Sequence, residues 1–171
     1  MKIIILLLLS IISFRSFAQQ TKPIDYIELS SYITNDIGNF SSKFNPAIEI
    51  GRQWDVFSLG LAIGKTNTCP SIRKDTSWFF EARPNLNIFQ VGKFVNTFTP
   101  GIGIIPNGNQ TLMIEMTSGI EYSLNEKYHI NITFGQYYYS GLSANSNVAF
   151  FGISIARYFS PYHPKSIITN K

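Results

Sequence analysis

From residue 25 almost to the end of the chain, large apolar side chains recur at every second position, and the residues between them are polar or very small. In VFSLGLAIGK, residues 56–65, Phe57, Leu59, Leu61 and Ile63 alternate with Ser58, Gly60, Ala62 and Gly64. A side-chain period of two is that of a β-strand with two unlike faces. The alternation predicts eight strands, at 25–34, 45–54, 55–65, 78–88, 92–105, 111–124, 127–140 and 148–159, and no amphipathic helix beyond the first 18 residues. In 78–88, Phe80, Ala82, Pro84, Leu86 and Ile88 oppose Phe79, Glu81, Arg83, Asn85 and Asn87. In 111–124, Leu112, Ile114, Met116, Ile120 and Tyr122 oppose Glu115, Thr117, Gly119 and Glu121; in 127–140, Tyr128, Ile130, Ile132 and Phe134 oppose His129, Asn131, Thr133 and Gly135.

The connections alternate in length. Those at 34–45, 65–78 and 140–148 are long and rich in Asn, Ser, Gly and Lys, and 106–110 is a shorter one of the same kind; those at Trp54 and Asp55, 89–91 and 125–127 are tight turns. Long and short in succession, with an even strand count, is the rhythm of an all-β, antiparallel up-and-down transmembrane barrel. A soluble sandwich shows the same alternation with its apolar face turned inward. Two features favour the barrel. The second face carries Gly51, Gly60, Ala62, Gly64, Gly101, Gly103, Gly119, Gly135, Gly152, Ser154 and Ala156. Glycine weakens a strand, so its repetition implies a face with little room, as in an eight-stranded barrel whose interior is just wide enough for side chains. The aromatics also fall in two bands: Tyr26, Trp54, Phe57, Phe89, Tyr122, Tyr128, Tyr158 and Phe159 near the turns, and Trp78, Tyr137, Tyr138 and Tyr139 near the loops. Two bands around an apolar belt read as interfacial girdles.

The first residues, MKIIILLLLSIISFRSFAQQ, have a basic start at Lys2, an apolar run over 3–12 and a small-x-small site at Ser16-Phe17-Ala18. This predicts a signal peptide over 1–18, cleaved after Ala18; the run falls well short of the ~20 residues that span a bilayer. The expected organisation is then a barrel over 19–159 and a short periplasmic tail over 160–171. Loss of Lys2 and Arg15 lowers the formal charge from +4 to +2, so no nucleic-acid partner is expected. Cys69 stands alone and cannot form an internal disulfide. With no zinc-type Cys/His spacing, phosphate loop or GxSxG, neither a metal nor a cofactor is expected.

The last strand, VAFFGISIARYF at 148–159, ends on an aromatic residue. With it, the whole chain after the leader resembles the small eight-stranded outer-membrane barrels, similar in architecture to the transmembrane domain of OmpA and to the OmpX-type barrels. The resemblance implies a monomer in the outer membrane of a Gram-negative cell, in contact with outer-membrane lipids and lipopolysaccharide, whose terminal aromatic is read by the barrel-assembly machinery. Residues 160–171 depart from a pattern that usually ends at that aromatic. An architecture implies no particular activity.

The charged residues on the small face are Glu28, Glu49, Glu81, Arg83, Lys93, Glu115 and Glu121, with His129 and Asn131 beside them. Charges in a narrow lumen must be paired. We therefore expect Arg83 and Lys93 to neutralise glutamates and plug the barrel, a structural role rather than a catalytic one. A three-residue turn at 125–127 pairs Glu121 with Asn131 and brings His129 diagonally within reach of Glu121. A tight Asp55-Val56 turn likewise sets Gly60 against Gly51 and Ala62 against Glu49. The lipid A deacylases, barrels of the same size, carry His-x-Ser near the end of a late strand; Tyr138-Tyr139-Ser140 resembles its surroundings, but Tyr138 stands in the histidine's place and 148–159 has no glutamate. The expected function is non-enzymatic, in envelope structure, surface interaction or at most a narrow porin-like pore. The alternatives are a deacylase-like lipid A-modifying barrel and a soluble secreted barrel for a small ligand. Arg73 and Lys74 form a positive patch in a long loop that suits either lipopolysaccharide or plain solvent.

Overall fold

Eight strands form in the predicted order: β1 (Ile24–Asp36), β2 (Asn39–Trp54), β3 (Phe57–Thr66), β4 (Ser77–Val91), β5 (Phe94–Ile105), β6 (Thr111–Ser123), β7 (Tyr128–Tyr139) and β8 (Ser146–Tyr158); the long connection expected at 34–45 is not a loop, because β1 and β2 run on through it and pair as far as Asp36 and Asn39. The structure is a computed structural model that describes residues 22–36, 39–66, 77–106, 111–140 and 146–169. The leader at 1–18, Cys69, the Arg73 and Lys74 patch and most of the connections at 65–78, 106–110 and 140–148 lie outside the described residues. Each strand pairs antiparallel with its neighbours in the chain, and β1 pairs antiparallel with β8. The sheet is therefore closed, which removes the edges an open sheet would expose. Among the described residues no helix is long and apolar enough to cross a membrane.

Two of the short connections set register as counted from the sequence. Trp54 pairs with Phe57, Gly51 with Gly60 and Glu49 with Ala62, and Glu121 pairs with Asn131. The first turn places Asp55 at φ 46°, a region that Asp tolerates better than most residues. Gln53 pins it, donating from Nε2 to the Asp55 carbonyl (2.8 Å) and the Phe57 carbonyl (3.1 Å). In the last turn the Asn125 side-chain oxygen accepts from the amides of Lys127 (2.9 Å) and Tyr128 (3.0 Å). The middle turn departs from expectation. Residues 89–91 continue β4, and the reversal falls on Gly92 and Lys93, where Gly92 supplies φ 57°.

The small face of VFSLGLAIGK is the inner one. Ser58, Gly60, Ala62 and Gly64 are buried, while Leu59 and Leu61 face outward, Leu61 at 62% exposure. Leu29, Ile50, Ile102, Ile114, Ile132 and Ile153 extend this exposed apolar belt around the barrel. The expected girdles need correction. Trp54, Phe57, Phe94, Tyr122, Tyr128 and Phe159 do ring the outside at the turn end, and Trp78 and Tyr138 face outward at the loop end. Tyr26, Tyr158, Tyr137 and Tyr139 instead fill the lumen, because they share strand parity with inward residues: Tyr26 with Glu28, Tyr158 with Ala156, and Tyr137 and Tyr139 with Gly135.

After Phe159 the chain does not leave the barrel. It crosses the turn-end mouth, burying Tyr162 and Ser166, and a two-residue strand, β9 (Ile168–Thr169), pairs parallel with Phe89 and Gln90 of β4. β3 begins at Phe57, opposite Leu86, and leaves the rest of that β4 edge to β9.

Candidate functional site in the barrel lumen

The inward side chains form three layers. At the loop end the filling is apolar and aromatic: Tyr32, Phe79, Ile105, Met113, Tyr137, Tyr139, Val148 and Phe150. Tyr137 stacks on Phe150 at 4.4 Å between centroids, and Tyr32 meets Phe150 edge-on at 5.1 Å, the geometries that aromatic quadrupoles favour.

The middle layer is ionic and centres on Arg83, which is 6% exposed. Its Nη1 donates to Glu49 Oε2 (2.8 Å) and its Nη2 to Glu115 Oε1 (3.0 Å). Glu49 is on β2, Arg83 on β4 and Glu115 on β6, so the two carboxylates come from opposite walls and one planar guanidinium spans the lumen between them. That task needs the fork geometry of arginine. The Glu81 carboxylate lies 4.0 Å from Arg83 Nε. The Tyr26 hydroxyl donates to Glu49 (2.5 Å), the Thr117 hydroxyl to Glu115, and Glu28 lies directly across the β1–β2 ladder from Glu49. The glycines make this possible: a Cβ on Gly60 would strike the Glu49 carboxylate, and one on Gly101 the Glu81 carboxylate. The bare wall is where the acids lie.

The layer at the turn end is built on His129, whose Nδ1 lies 2.6 Å from Glu121 Oε1. Its ring packs against both Tyr158 (4.8 Å) and Tyr162 (5.4 Å, near parallel), which themselves meet at 4.3 Å, so the three rings form a triangle. Asn87 Nδ2 donates to the Tyr162 hydroxyl and to the Lys165 carbonyl, both at 2.9 Å. Burial, with Glu121 close by, holds the Tyr162 hydroxyl well above the usual phenol range, so it stays neutral.

The residues expected in one charged cluster thus divide. Glu49, Glu81, Arg83 and Glu115 meet in the middle; Glu121 and His129 form a separate pair nearer the turns. Lys93 is not in the lumen at all. It is exposed in the turn after β4, because β5 starts at Phe94, one residue beyond the position that would have turned it inward. Arg83 carries the neutralisation that Lys93 was expected to share. Two further residues, Asn87 and Tyr162, complete this layer. Asn87 was visible as an inward polar residue at the end of its strand, whereas nothing in 160–171 marked Tyr162.

Chemically the lumen offers little room. A space of about 20 Å³ lies between Tyr26, Glu28, Glu49, Arg83, Glu121 and Tyr158, enough for roughly one water and not for a lipid or sugar. Ser140 is exposed at the loop end, and His129 is eleven residues earlier on the same strand, roughly 35 Å away at ~3.3 Å per residue. The His129–Glu121 pair is therefore at the wrong end to activate Ser140. Among the described residues no group of His, Cys, Asp and Glu is placed to hold a metal.

A closed eight-stranded antiparallel barrel, apolar outside and polar within, is the fold of the small outer-membrane barrels. Among solved structures it is similar to the crystal structure of Neisserial surface protein A (NspA), with a TM-score of 0.55 and 9% identity over 79% of this chain and 96% of that one. It is similar also to the N-terminal β-barrel domain of Pseudomonas aeruginosa OprF, with a TM-score of 0.54 and 14% identity over 81% of this chain and all of that one. The solution NMR structure of the de novo designed TMB2.3 matches with a TM-score of 0.56 and 12% identity over 84% and 100%. At these identities the likeness is one of fold alone. No protein-family model matches the chain, and no curated protein does.

Proposed function

We propose that the protein is a non-enzymatic, monomeric barrel of the Gram-negative outer membrane, acting in envelope structure or surface interaction. The observation that carries this reading is the pairing of an exposed apolar belt with a lumen filled from end to end by aromatic and ion-paired side chains. A belt of half-exposed Leu, Ile and Phe has no reason to exist in water, and a plugged lumen gives neither solute passage nor substrate entry. In this reading the short turns face the periplasm and the long loops the outside. Residues 1–18 direct export, Phe159, which is exposed at the end of β8, is read during assembly, and lipid and lipopolysaccharide surround the belt.

Cell fractionation with gel migration of boiled and unboiled samples tests the localisation. The protein is expected in the outer-membrane fraction with a migration shift on boiling; recovery from the soluble periplasm with no shift would end the proposal. Mass spectrometry of lipid A from cells with and without the protein tests the absence of enzymatic action on that lipid, and the two acylation patterns are expected to match.

A further inference from the structure

The segment after β8 binds the barrel as a peptide binds a receptor. It leaves β8 and reaches β4, which lies four strands away in a ring of eight, so it crosses the mouth along a diameter. Besides its ion pairs and a backbone bond from the Tyr162 amide to the Glu126 carbonyl (2.7 Å), three kinds of contact hold it. Tyr162 enters an aromatic socket formed by His129 and Tyr158. Asn87 clasps it, donating to the Tyr162 hydroxyl and the Lys165 carbonyl and accepting from the Ile167 amide at its own carbonyl (3.0 Å). Ile168 and Thr169 then add a strand to the free edge of β4. An aromatic pocket followed by strand addition is a recurring mode of peptide recognition.

The anchorage is also sparse. From Ser160 to Ile168 only Tyr162 and Ser166 are buried, and Pro161 and Pro164 bring no amide to donate. Of the two ion pairs to the rim, His163 with Glu126 (3.8 Å) joins exposed side chains and is weak, while Lys165 with Asp55 (2.9 Å) joins a half-exposed lysine to a largely buried carboxylate. A cleft of about 290 Å³, lined by Gln90, Lys93, Ser123, Glu126 and His163, runs along the segment. Segments held by so few buried contacts open far more readily than the sheet beneath them.

We infer that the turn-end mouth is a peptide-binding socket, and that residues 160–169 are its resident plug, releasable without unfolding the barrel. Release uncovers His129, whose Nε2 is buried and has no hydrogen-bond partner among the described residues.

The two histidines of the chain provide the test. The refolded full-length protein in detergent is treated with diethylpyrocarbonate, and modification of each histidine is followed by peptide mass spectrometry. Exposed His163 is the internal reference. In the wild type His129 is expected to react at least about tenfold more slowly than His163, and in Tyr162→Ala at a comparable rate, with gel migration on boiling showing that the barrel is still folded. Asn87→Ala, which removes the clasp and leaves the aromatic, is the second variant if the first fails to fold. A fluorescein-labelled synthetic peptide of residues 160–171 is expected to bind Tyr162→Ala about tenfold or more tightly than the wild type, whose tethered segment competes at high effective concentration. The same peptide carrying Tyr162→Ala is expected to bind neither. Equal His129 reactivity in the wild type and the variants, or equal peptide binding to both, would overturn the inference.

Discussion

Arg83 shows how much of this barrel rests on one residue and its neighbours. Its guanidinium is hydrogen-bonded to Glu49 and Glu115, both buried, so the effect of a substitution depends on what it leaves behind. Arg83→Met strands two glutamates in a closed lumen, and losing one partner of a buried ion pair costs about 3–5 kcal/mol. Arg83→Lys is expected to recover only part, since one ammonium cannot span to both walls. Urea unfolding in lipid vesicles, read by the fluorescence of Trp54 and Trp78, measures both. Adding Glu49→Gln and Glu115→Gln to Arg83→Met should restore a large part of the loss; no restoration would mean that Arg83 acts by packing. Gly60 gives the converse case. Gly60→Glu would press a second carboxylate onto Glu49 and is expected to prevent the compact, heat-modifiable form from appearing. Gly60→Ala should assemble but lose stability, because its methyl displaces the Glu49 side chain from the Arg83 and Tyr26 groups that hold its carboxylate. Parity made this neighbourhood legible: once Phe57 faces outward, Gly60 and Glu49 must share the lumen. The same rule applied to Tyr26 and Tyr158 would have placed them inside. Nearness to the turns fixes their depth but not their direction.

The register of a hairpin follows from the length of its turn, and two of the three short turns were readable because Asp55 and Asn125 sit where a reversal needs them. The third was not. Phe89-Gln90-Val91 suits a strand, and the residue that permits the reversal, Gly92, looked like the first of the next strand. Its positive φ separates the two readings. A side chain at Gly92 would meet nothing within 4 Å, so Gly92→Ala should cost only the left-handed backbone conformation, about 1–2 kcal/mol, and Gly92→Asn less, as Asn tolerates that region. The same urea titration resolves this. A loss near zero would place the turn back on 89–91. β9 lay beyond sequence reading for another reason: two residues carry no alternation, and their pairing exists only because β4 outlasts β3. Asn87 and the segment it clasps meet across more than seventy residues of chain.

At the scale of the whole molecule, the closed sheet and its inside-out polarity could be read from the alternation, the loop rhythm and the small inner face. What alternation alone leaves open is the solvent outside. The structure makes that a measurable difference between two sites. Ile132 lies midway along β7, opposite Ile120 of β6 and Ile153 of β8, and is 46% exposed; Val91, at the turn end of β4, is 56% exposed. In water both are ordinary surface positions, and Ile132→Arg and Val91→Arg should each change stability by no more than about 0.5 kcal/mol. In a bilayer the charge is penalised by depth. Ile132→Arg should then cost about 2–4 kcal/mol and Val91→Arg about 0–1 kcal/mol. Both variants refolded into vesicles and unfolded in urea give the comparison directly, since both side chains are exposed on the outer face. A clear excess at Ile132 is the expected result, because the belt that includes it is continuous around the barrel; two small and equal losses would mean that water, not lipid, meets that belt.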